Sequence, residues 1–192
     1  MADARNGSGR QQDEMCIRDS SYVERVEGMR GIKAARRIVP LVAEGSGSPM
    51  ETVLYALLCM DVQAGGAGLP KPDLNGVVKL APSQQAATGR SYVKVDLLWR
   101  ERKVAVEYDS DWAHGNPYAL NRDATKRNAL QELGYRVVSV TKDQVFDWPR
   151  FQGLSLMLVG LLGKDSSRAV RDWTEKRFEV WTTLTRMKRF GD

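Results

Sequence analysis

The sequence predicts a single α/β domain in which a mixed β-sheet of about four strands is flanked by helices. Two neighbouring runs, 92–99 and 103–109, are rich in Val, Leu and aromatic residues and alternate in polarity, as half-buried strands do. A helical pattern over 119–133 then leads into a further strand pattern at 135–141. A strand, a helix and a strand in that order extend one sheet.

Composition sets the broad class. The chain has 192 residues, of which 42% are hydrophobic and 28% charged, as in ordinary globular domains. No apolar run approaches the ~18 residues of a membrane span, and two cysteines do not make a disulfide framework. We therefore expect a cytoplasmic protein without a membrane partner. The net charge of +5 favours a nucleic-acid partner.

The first 47 residues differ from the rest. Residues 1–20 are polar and lack apolar periodicity, so we expect them to be disordered. Met15–Ser20 resembles a translated sequencing-adapter end, which predicts that this segment is artefactual. Residues 21–47 form a basic helical extension that either lies along DNA or packs on the core. The domain itself is expected to occupy 48–192.

A helix start precedes the sheet. Ser48 is a favourable N-cap, Pro49 suits the first helical position, and Glu51 follows three residues after the cap. We expect this helix to end near Met60. Glu51 has a structural interpretation, because a glutamate at this position commonly accepts a hydrogen bond from a backbone N–H at the cap.

The other elements follow from local composition. A Gly- and Pro-rich loop at 64–72 precedes a short strand within 75–82, which we expect to pair with the strand at 92–99. Residues 83–90 are polar and are expected to form a turn. Two further helical patterns predict a cover for the sheet and an extra C-terminal amphipathic helix, at 151–162 and 166–189.

The two central strands carry acidic residues where a hydrophobic sheet would otherwise be expected. In a hairpin with an even-numbered loop, Asp96 lies opposite Glu107, and Lys94 lies opposite Asp109. These four residues then share one face, and the apolar residues share the other: Val93, Val95, Leu97, Val104, Val106 and Tyr108. Facing carboxylates repel unless a cation separates them, and Mg²⁺ binds one or two carboxylates with waters and phosphate oxygens. The hairpin therefore predicts a divalent-metal site.

The order of these residues resembles the restriction-endonuclease-like PD-(D/E)xK superfamily, and within it the Vsr-like branch related to very-short-patch repair endonucleases. The resemblance covers roughly 48–147, and its order and spacing are more specific than any single motif. The matching segments are Val95-Asp96-Leu97, Glu107-Tyr108-Asp109-Ser110, His114, Asp123 with Lys126 or Arg127, and Gly134-Tyr135-Arg136-Val137.

This resemblance implies a restriction-endonuclease-like core and a metal-dependent DNA endonuclease that uses Mg²⁺ or Mn²⁺. Asp96 and Glu107 would be metal ligands, and Asp109 would be a further one. Glu51 would reach the metal site from the first helix. His114, the single histidine of the chain, would act as a general acid or base. The setting would be repair, restriction, a mobile element or a toxin–antitoxin system.

Basic residues near the carboxylates are candidates for nucleic-acid binding: Lys94, Arg122, Lys126 and Arg127. Lys126 or Arg127 would contact a phosphate or order the carboxylates, although an ordinary exposed charged helix explains them equally well. Two departures from the family keep a second hypothesis open. Asp109 replaces the lysine that usually follows the glutamate by two residues, and Ser110 replaces a glycine. The alternative is a non-cleaving nucleic-acid-binding or interaction module on the same fold.

Overall fold

A computed structural model describes residues 45–109, 117–163 and 175–186, and within these ranges a mixed sheet carries helices on both faces. Its strands are β1 (Asp73–Lys79), β2 (Tyr92–Trp99), β3 (Val104–Asp109) and β4 (Arg136–Thr141). The helices are α1 (Pro49–Cys59), α2 (Pro82–Thr88), α3 (Pro117–Glu132), α4 (Lys142–Phe146), α5 (Trp148–Leu161) and α6 (Glu175–Arg186), and a 3₁₀ turn at Val62–Ala64 follows α1. The predicted extension at 21–47, the segment 1–20 and His114 lie outside the described residues.

The strands lie in chain order, β1-β2-β3-β4, in one sheet. The pairs β1–β2 and β2–β3 are antiparallel, whereas β4 is parallel to β3. A parallel neighbour needs a crossover connection, and α3 lies in the segment that joins β3 to β4. The α/β class, the four-stranded mixed sheet and the pairing of the short first strand with 92–99 are therefore confirmed.

Each face of the sheet has its own hydrophobic core. On one face, α1, α5 and α6 pack against residues that include Leu97, Val104 and Val106. On the other face, α3 contributes Ala129 and Leu130 to a second cluster. The strand residues of this cluster include Val78, Val93, Val95, Leu98 and Ala105. The sheet is thus sandwiched, and the α3 face is the one that reaches the acidic residues.

The alternation of β2 is broken at Asp96. Val93 and Val95 pack on the α3 face, but Leu97 packs on the opposite face. Our prediction that these valines share a face with Leu97 is therefore wrong. The break coincides with Asn75, which stands opposite Asp96 in the β1–β2 register and has a φ of 48°. Such a φ is uncommon in a strand, and a local irregularity of this kind re-aims side chains.

The expected polar turn at 83–90 is instead the helix α2. Its first backbone groups are satisfied by glutamines: Gln84 Oε1 accepts from the Ala81 N–H at 2.9 Å, and Gln85 Nε2 donates to the Leu80 carbonyl at 2.7 Å. Pro82 occupies the first helical position, and Gly89 ends the helix with a φ of 66°. Proline at the first position and glycine after the last are favourable helix boundaries. The polar composition of 83–90 predicts a turn, but these boundary residues favour a short helix.

The C-terminal helix is described over α6, within the predicted range 166–189. Its aromatic residues cluster with Trp148, whose ring lies 5.2 Å from the rings of Trp181 and Phe178, although Phe178 stays 47% exposed. Trp181 Nε1 also donates to the Val145 carbonyl at 2.8 Å, which ties α6 to α4. Among the helices in the described ranges, none is long and apolar enough to cross a membrane.

Two glycine substitutions test the packing of this fold. A Cβ at Gly66 would collide with the backbone carbonyl of Met60, which cannot move away as a side-chain end could. Gly66→Ala should therefore destabilise the protein by roughly 1–3 kcal/mol. Gly153 lies exposed within α5 with no atom near its Cβ position, so Gly153→Ala should stabilise by roughly 0.5–1 kcal/mol. Urea unfolding measures both changes, and a stable Gly66→Ala variant would contradict the described turn after α1.

Candidate active site

Glu107 is positioned by β3 and held by α3. It follows the alternation of β3, so it shares the α3 face with Ala105. On α3, Lys126 lies one turn before the buried Leu130 and therefore faces the sheet. The Lys126 Nζ is 2.5 Å from Glu107 Oε2, and both side chains are mostly buried, with 24% and 21% exposed. The structure thus joins a strand carboxylate to a helix ammonium.

Asp96 lies near Glu107, because both line one cavity and the charge of Asp96 raises the pKa of Glu107. The β2–β3 pairing ends at Leu97 with Val106 and stops before Asp96, so the predicted pairing of Asp96 with Glu107 stays a prediction. At this point of the sheet the hydrogen bond between β2 and β3 involves a side chain: the Tyr108 N–H donates to Asp96 Oδ2 at 2.8 Å. This bond fixes one oxygen of Asp96 on the strand that carries Glu107.

A cavity of about 190 Å³ opens between β2, β3, β4 and α3. Five of the predicted site residues line it together: Asp96, Glu107, Asp109, Lys126 and Arg127. Asp123, the acidic residue of the helix motif, lines it as well, and Leu130 and Val137 close its apolar side. Glu51, Lys94 and Arg122 do not belong to the described lining. The sheet therefore gathers most of the sequence-predicted residues around one opening.

Burial controls the electrostatics of this cavity. Burial is the largest influence on both carboxyls, and it raises the pKa of Asp96 and raises the pKa of Glu107 from 4.5 to about 7. The Lys126 ammonium lowers the pKa of Glu107, but it only partly offsets the burial. The neighbouring charges of Asp96 and Asp123 raise it further. The hydrogen bond from the Tyr108 N–H lowers the pKa of Asp96, whereas the nearby charge of Glu51 raises the pKa of Asp96.

One oxygen of Glu107 is left over. Within the part of the chain that the structure describes, Glu107 Oε1 is buried and has no hydrogen-bond partner. A buried carboxylate oxygen without a donor is costly, and a metal ion is one group that would satisfy it. The neighbouring carboxylate of Asp96 supplies a second donor atom at the same cavity. Two carboxylates with room for waters meet the usual requirement of protein-bound Mg²⁺.

Beyond this pair of carboxylates, the described residues do not provide a third metal ligand. Across 45–109, 117–163 and 175–186, no group of three or more Asp, Glu, His or Cys side chains is arranged to hold a metal ion. Asp109 lines the cavity, but it does not complete such a group with Asp96 and Glu107. Among the described residues, the carboxylates available to a metal at this cavity are therefore those of Asp96 and Glu107.

Glu51 stabilises the start of α1 and also lies near the carboxylate cavity. Its Oε2 accepts from the Gly47 N–H and from Asn75 Nδ2, each at 2.6 Å, which is a structural role at the start of α1. Its charge nevertheless raises the pKa of Asp96, so it lies near the site without lining the cavity. Sequence reasoning missed Asn75 as its partner. The Asn-Gly pair at 75–76 was the available signal, since this pair inside a strand indicates an irregularity.

The remaining basic residues have separate positions. Arg127 donates from its Nη2 to Ser139 Oγ at 2.8 Å, so β4 orients this guanidinium at the cavity. Arg122 lines a neighbouring depression between α2 and α3, and Lys94 lines another next to Lys126. Sequence reasoning missed Ser139, whose role depends on β4 lying parallel to β3. Of the two roles considered for Lys126, contacting a phosphate or ordering a carboxylate, its contact with Glu107 fits the second.

Comparisons with known proteins give relatives but no family. No family model matches the chain, and no solved structure matches it significantly. The chain is similar to two Mycobacterium tuberculosis proteins, uncharacterized protein MT2308 of strain CDC 1551 / Oshkosh and uncharacterized protein Rv2248 of strain ATCC 25618 / H37Rv. Each is 33% identical over 118 residues, which make up 62% of this chain and 39% of the relative. The chain therefore spans well under half the length of these relatives.

The raised pKa of Glu107 predicts a pH dependence of stability. Because the folded state holds a proton on Glu107 more tightly than the unfolded state, its contribution is full below pH 4.5 and is lost as the pH rises through about 7. The loss is on the order of 3 kcal/mol. In EDTA, the free energy of unfolding of Glu107→Gln minus that of wild type should therefore increase from pH 5 to pH 8. A difference that stays constant would contradict the raised pKa.

A second prediction concerns metal and stability. If Asp96 and Glu107 hold a divalent ion, Mg²⁺ should stabilise the wild type at pH 8, where both carboxyls are ionised in the complex. A concentration ten times the dissociation constant gives about 1.4 kcal/mol, or roughly 3–6 °C in a chain of this size. Glu107→Gln should lose this shift. Asp143→Ala, which removes an exposed carboxylate of α4, is the matched control and should keep it. An equal shift in all three proteins would indicate non-specific binding.

Proposed function

We propose that this protein is a metal-dependent DNA endonuclease that hydrolyses phosphodiester bonds, with a restriction-endonuclease-like core. The observation that carries the proposal is the pair of half-buried carboxylates at one cavity. Asp96 and Glu107 sit on adjacent strands, and Glu107 keeps a buried oxygen unsatisfied among the described residues. Such an arrangement costs free energy in the absence of a ligand, so its retention fits a functional site.

The cavity residues have distinct roles in this proposal. Asp96 and Glu107 would hold Mg²⁺ or Mn²⁺, which when bound supplies positive charge to stabilise a phosphate. The Tyr108 N–H keeps Asp96 in place, and Lys126 keeps Glu107 in place. Fixed ligands favour catalysis because little reorganisation is needed when the substrate arrives. Asp109 lines the same cavity but has no ligand role in this proposal, because it does not complete a three-ligand group with Asp96 and Glu107 in the described part of the chain.

The basic side chains at the cavity favour a phosphate substrate. Arg127 lines the cavity together with Lys126, and its contact with Ser139 leaves other guanidinium donors beyond that bond. A guanidinium and an ammonium beside a metal-binding pair match the negative charge of a phosphodiester. His114 remains a candidate general acid or base, and it follows β3 by only five residues. These features support DNA as the partner.

A non-cleaving nucleic-acid-binding module is the second candidate. The ion pair of Lys126 with Glu107 favours it, because an ammonium already compensates one of the two carboxylates. In that case the buried pair would stabilise the attachment of α3 to the sheet, and nucleic acid would bind to the basic surface alone. Cleavage activity separates the two functions.

The central prediction of the endonuclease proposal concerns Asp96 and Glu107. Asp96→Ala and Glu107→Ala should each abolish Mg²⁺- or Mn²⁺-dependent cleavage of supercoiled plasmid and keep the fold, because each removes a metal ligand. Glu132→Ala is the matched control, since it removes an exposed carboxylate at the end of α3. Circular dichroism checks folding. His114→Ala should reduce the rate less than the two ligand variants, by roughly 10²–10⁴-fold.

Two results would contradict the proposal. If Asp96→Ala and Glu107→Ala cut plasmid at the wild-type rate, these carboxylates are not the catalytic ones. If the wild type binds DNA but cuts it with neither Mg²⁺ nor Mn²⁺, the binding-module function replaces the endonuclease. An EDTA control excludes metal-independent nuclease contamination.

A further inference from the structure

A second depression lies beside the carboxylate cavity. It encloses about 510 Å³ between the end of α2, the start of β2 and the middle of α3. Among the described residues that line it, Arg90, Lys94 and Lys126 are basic and none is acidic. The others are small or aromatic: Gly89, Ser91 and Tyr92. We call this surface the basic depression. Because the Lys126 ammonium is paired with Glu107, the uncompensated positive charge of these described residues comes from Arg90 and Lys94.

Tyr92 makes the basic depression unusual. Tyr92 stands at the start of β2 and is 49% exposed. Its cross-strand partner is Lys79, which is itself exposed. The ring therefore lies open in basic surroundings. Aromatic faces and cationic side chains are the two components by which proteins bind single-stranded nucleic acid.

The basic depression is continuous with the proposed active site. Lys126 lines both, and its ammonium contacts Glu107. A polynucleotide chain with one phosphate at the carboxylate cavity would therefore extend past Lys126 toward Lys94 and Arg90. The neighbouring depression of Arg122 shares Arg90 and Lys126 with it, but Asp123 also lines that depression and lies 3.9 Å from Arg122. Among the described residues, the unpaired positive charge beside the cavity is therefore that of Arg90 and Lys94 rather than that of Arg122.

We propose that the basic depression binds a single-stranded nucleic-acid segment that flanks the cleaved phosphate. Arg90 and Lys94 contact phosphates of this segment, and Tyr92 stacks on one of its bases. This inference rests on the proposed function, and it deepens it by naming the substrate class: DNA with an unpaired segment next to the scissile bond. A fully paired duplex would contact Arg90 and Lys94 through its phosphates, but none of its bases would stack on Tyr92, because stacking requires an unpaired base.

Binding to oligonucleotides in EDTA tests the inference without cleavage. The probes are a 12-nucleotide single strand and its duplex, each with the full chain. Tyr92→Ala should weaken single-strand binding by roughly 5- to 150-fold, the range measured for loss of one stacked base. Tyr92→Phe should retain it, because phenylalanine keeps the aromatic face. Duplex binding should change less than twofold in both variants.

Charge variants separate the phosphate contacts from the stacking. Arg90→Ala and Lys94→Ala should each weaken both probes and reduce the salt slope for the single strand by about 0.7. Lys71→Ala is the matched control. Lys71 is exposed and follows Pro70, whose carbonyl accepts from Trp99 Nε1 at the far end of β2. That end is roughly 23 Å from Tyr92 at the rise of a strand.

The outcomes are distinguishable from those of the endonuclease test. Selective loss of single-strand binding in Tyr92→Ala, with Lys71→Ala unchanged, supports the inference even if plasmid is never cut. Wild-type single-strand binding by Tyr92→Ala overturns it, even if the wild type cleaves DNA. Equal effects of Lys71→Ala and Lys94→Ala also overturn it, because binding would then follow net charge rather than the basic depression.

Discussion

The burial of the Glu107 carboxylate beneath α3 is the constraint on which the rest of the site depends. A carboxylate in this position must be compensated, and Lys126 supplies one compensation at 2.5 Å. This contact links the crossover helix to β3 and so fixes the distance between the helix and the sheet. It leaves the second oxygen of Glu107 buried beside Asp96. In the proposed function, a divalent cation would satisfy this oxygen at the same cavity where a phosphate would bind.

The same constraint explains why the neighbours of Glu107 are arranged as they are. Asp96 interrupts the alternation of β2, and its oxygen replaces a backbone acceptor for Tyr108. Asn75 takes a left-handed conformation opposite this break and holds Glu51 at 2.6 Å. The irregularity in two adjacent strands thus serves the placement of acidic groups. Strained or irregular backbone often occurs at functional sites for this reason.

The sequence could predict the sheet, because period-2 patterning is a local property. It could also predict that Asp96 and Glu107 lie near each other, because one short hairpin joins their strands. It could not predict that Val93 and Val95 change faces, since this depends on a break that involves a second strand. It also could not place Lys126 on Glu107, because the helix spacing alone allowed an exposed face. The helix α2 was missed because glutamine side chains, rather than the usual short polar residues, satisfy its first turn.

A crystal of the wild-type protein soaked in Mn²⁺ tests the central claim most directly. Anomalous scattering locates manganese independently of any assay for cleavage. The account predicts one strong anomalous peak between the Asp96 and Glu107 carboxylates, within about 2.3 Å of an oxygen of each. It also predicts that this peak is absent from Glu107→Gln. A cavity without manganese, with the Lys126–Glu107 ion pair unchanged at saturating Mn²⁺, would contradict the account.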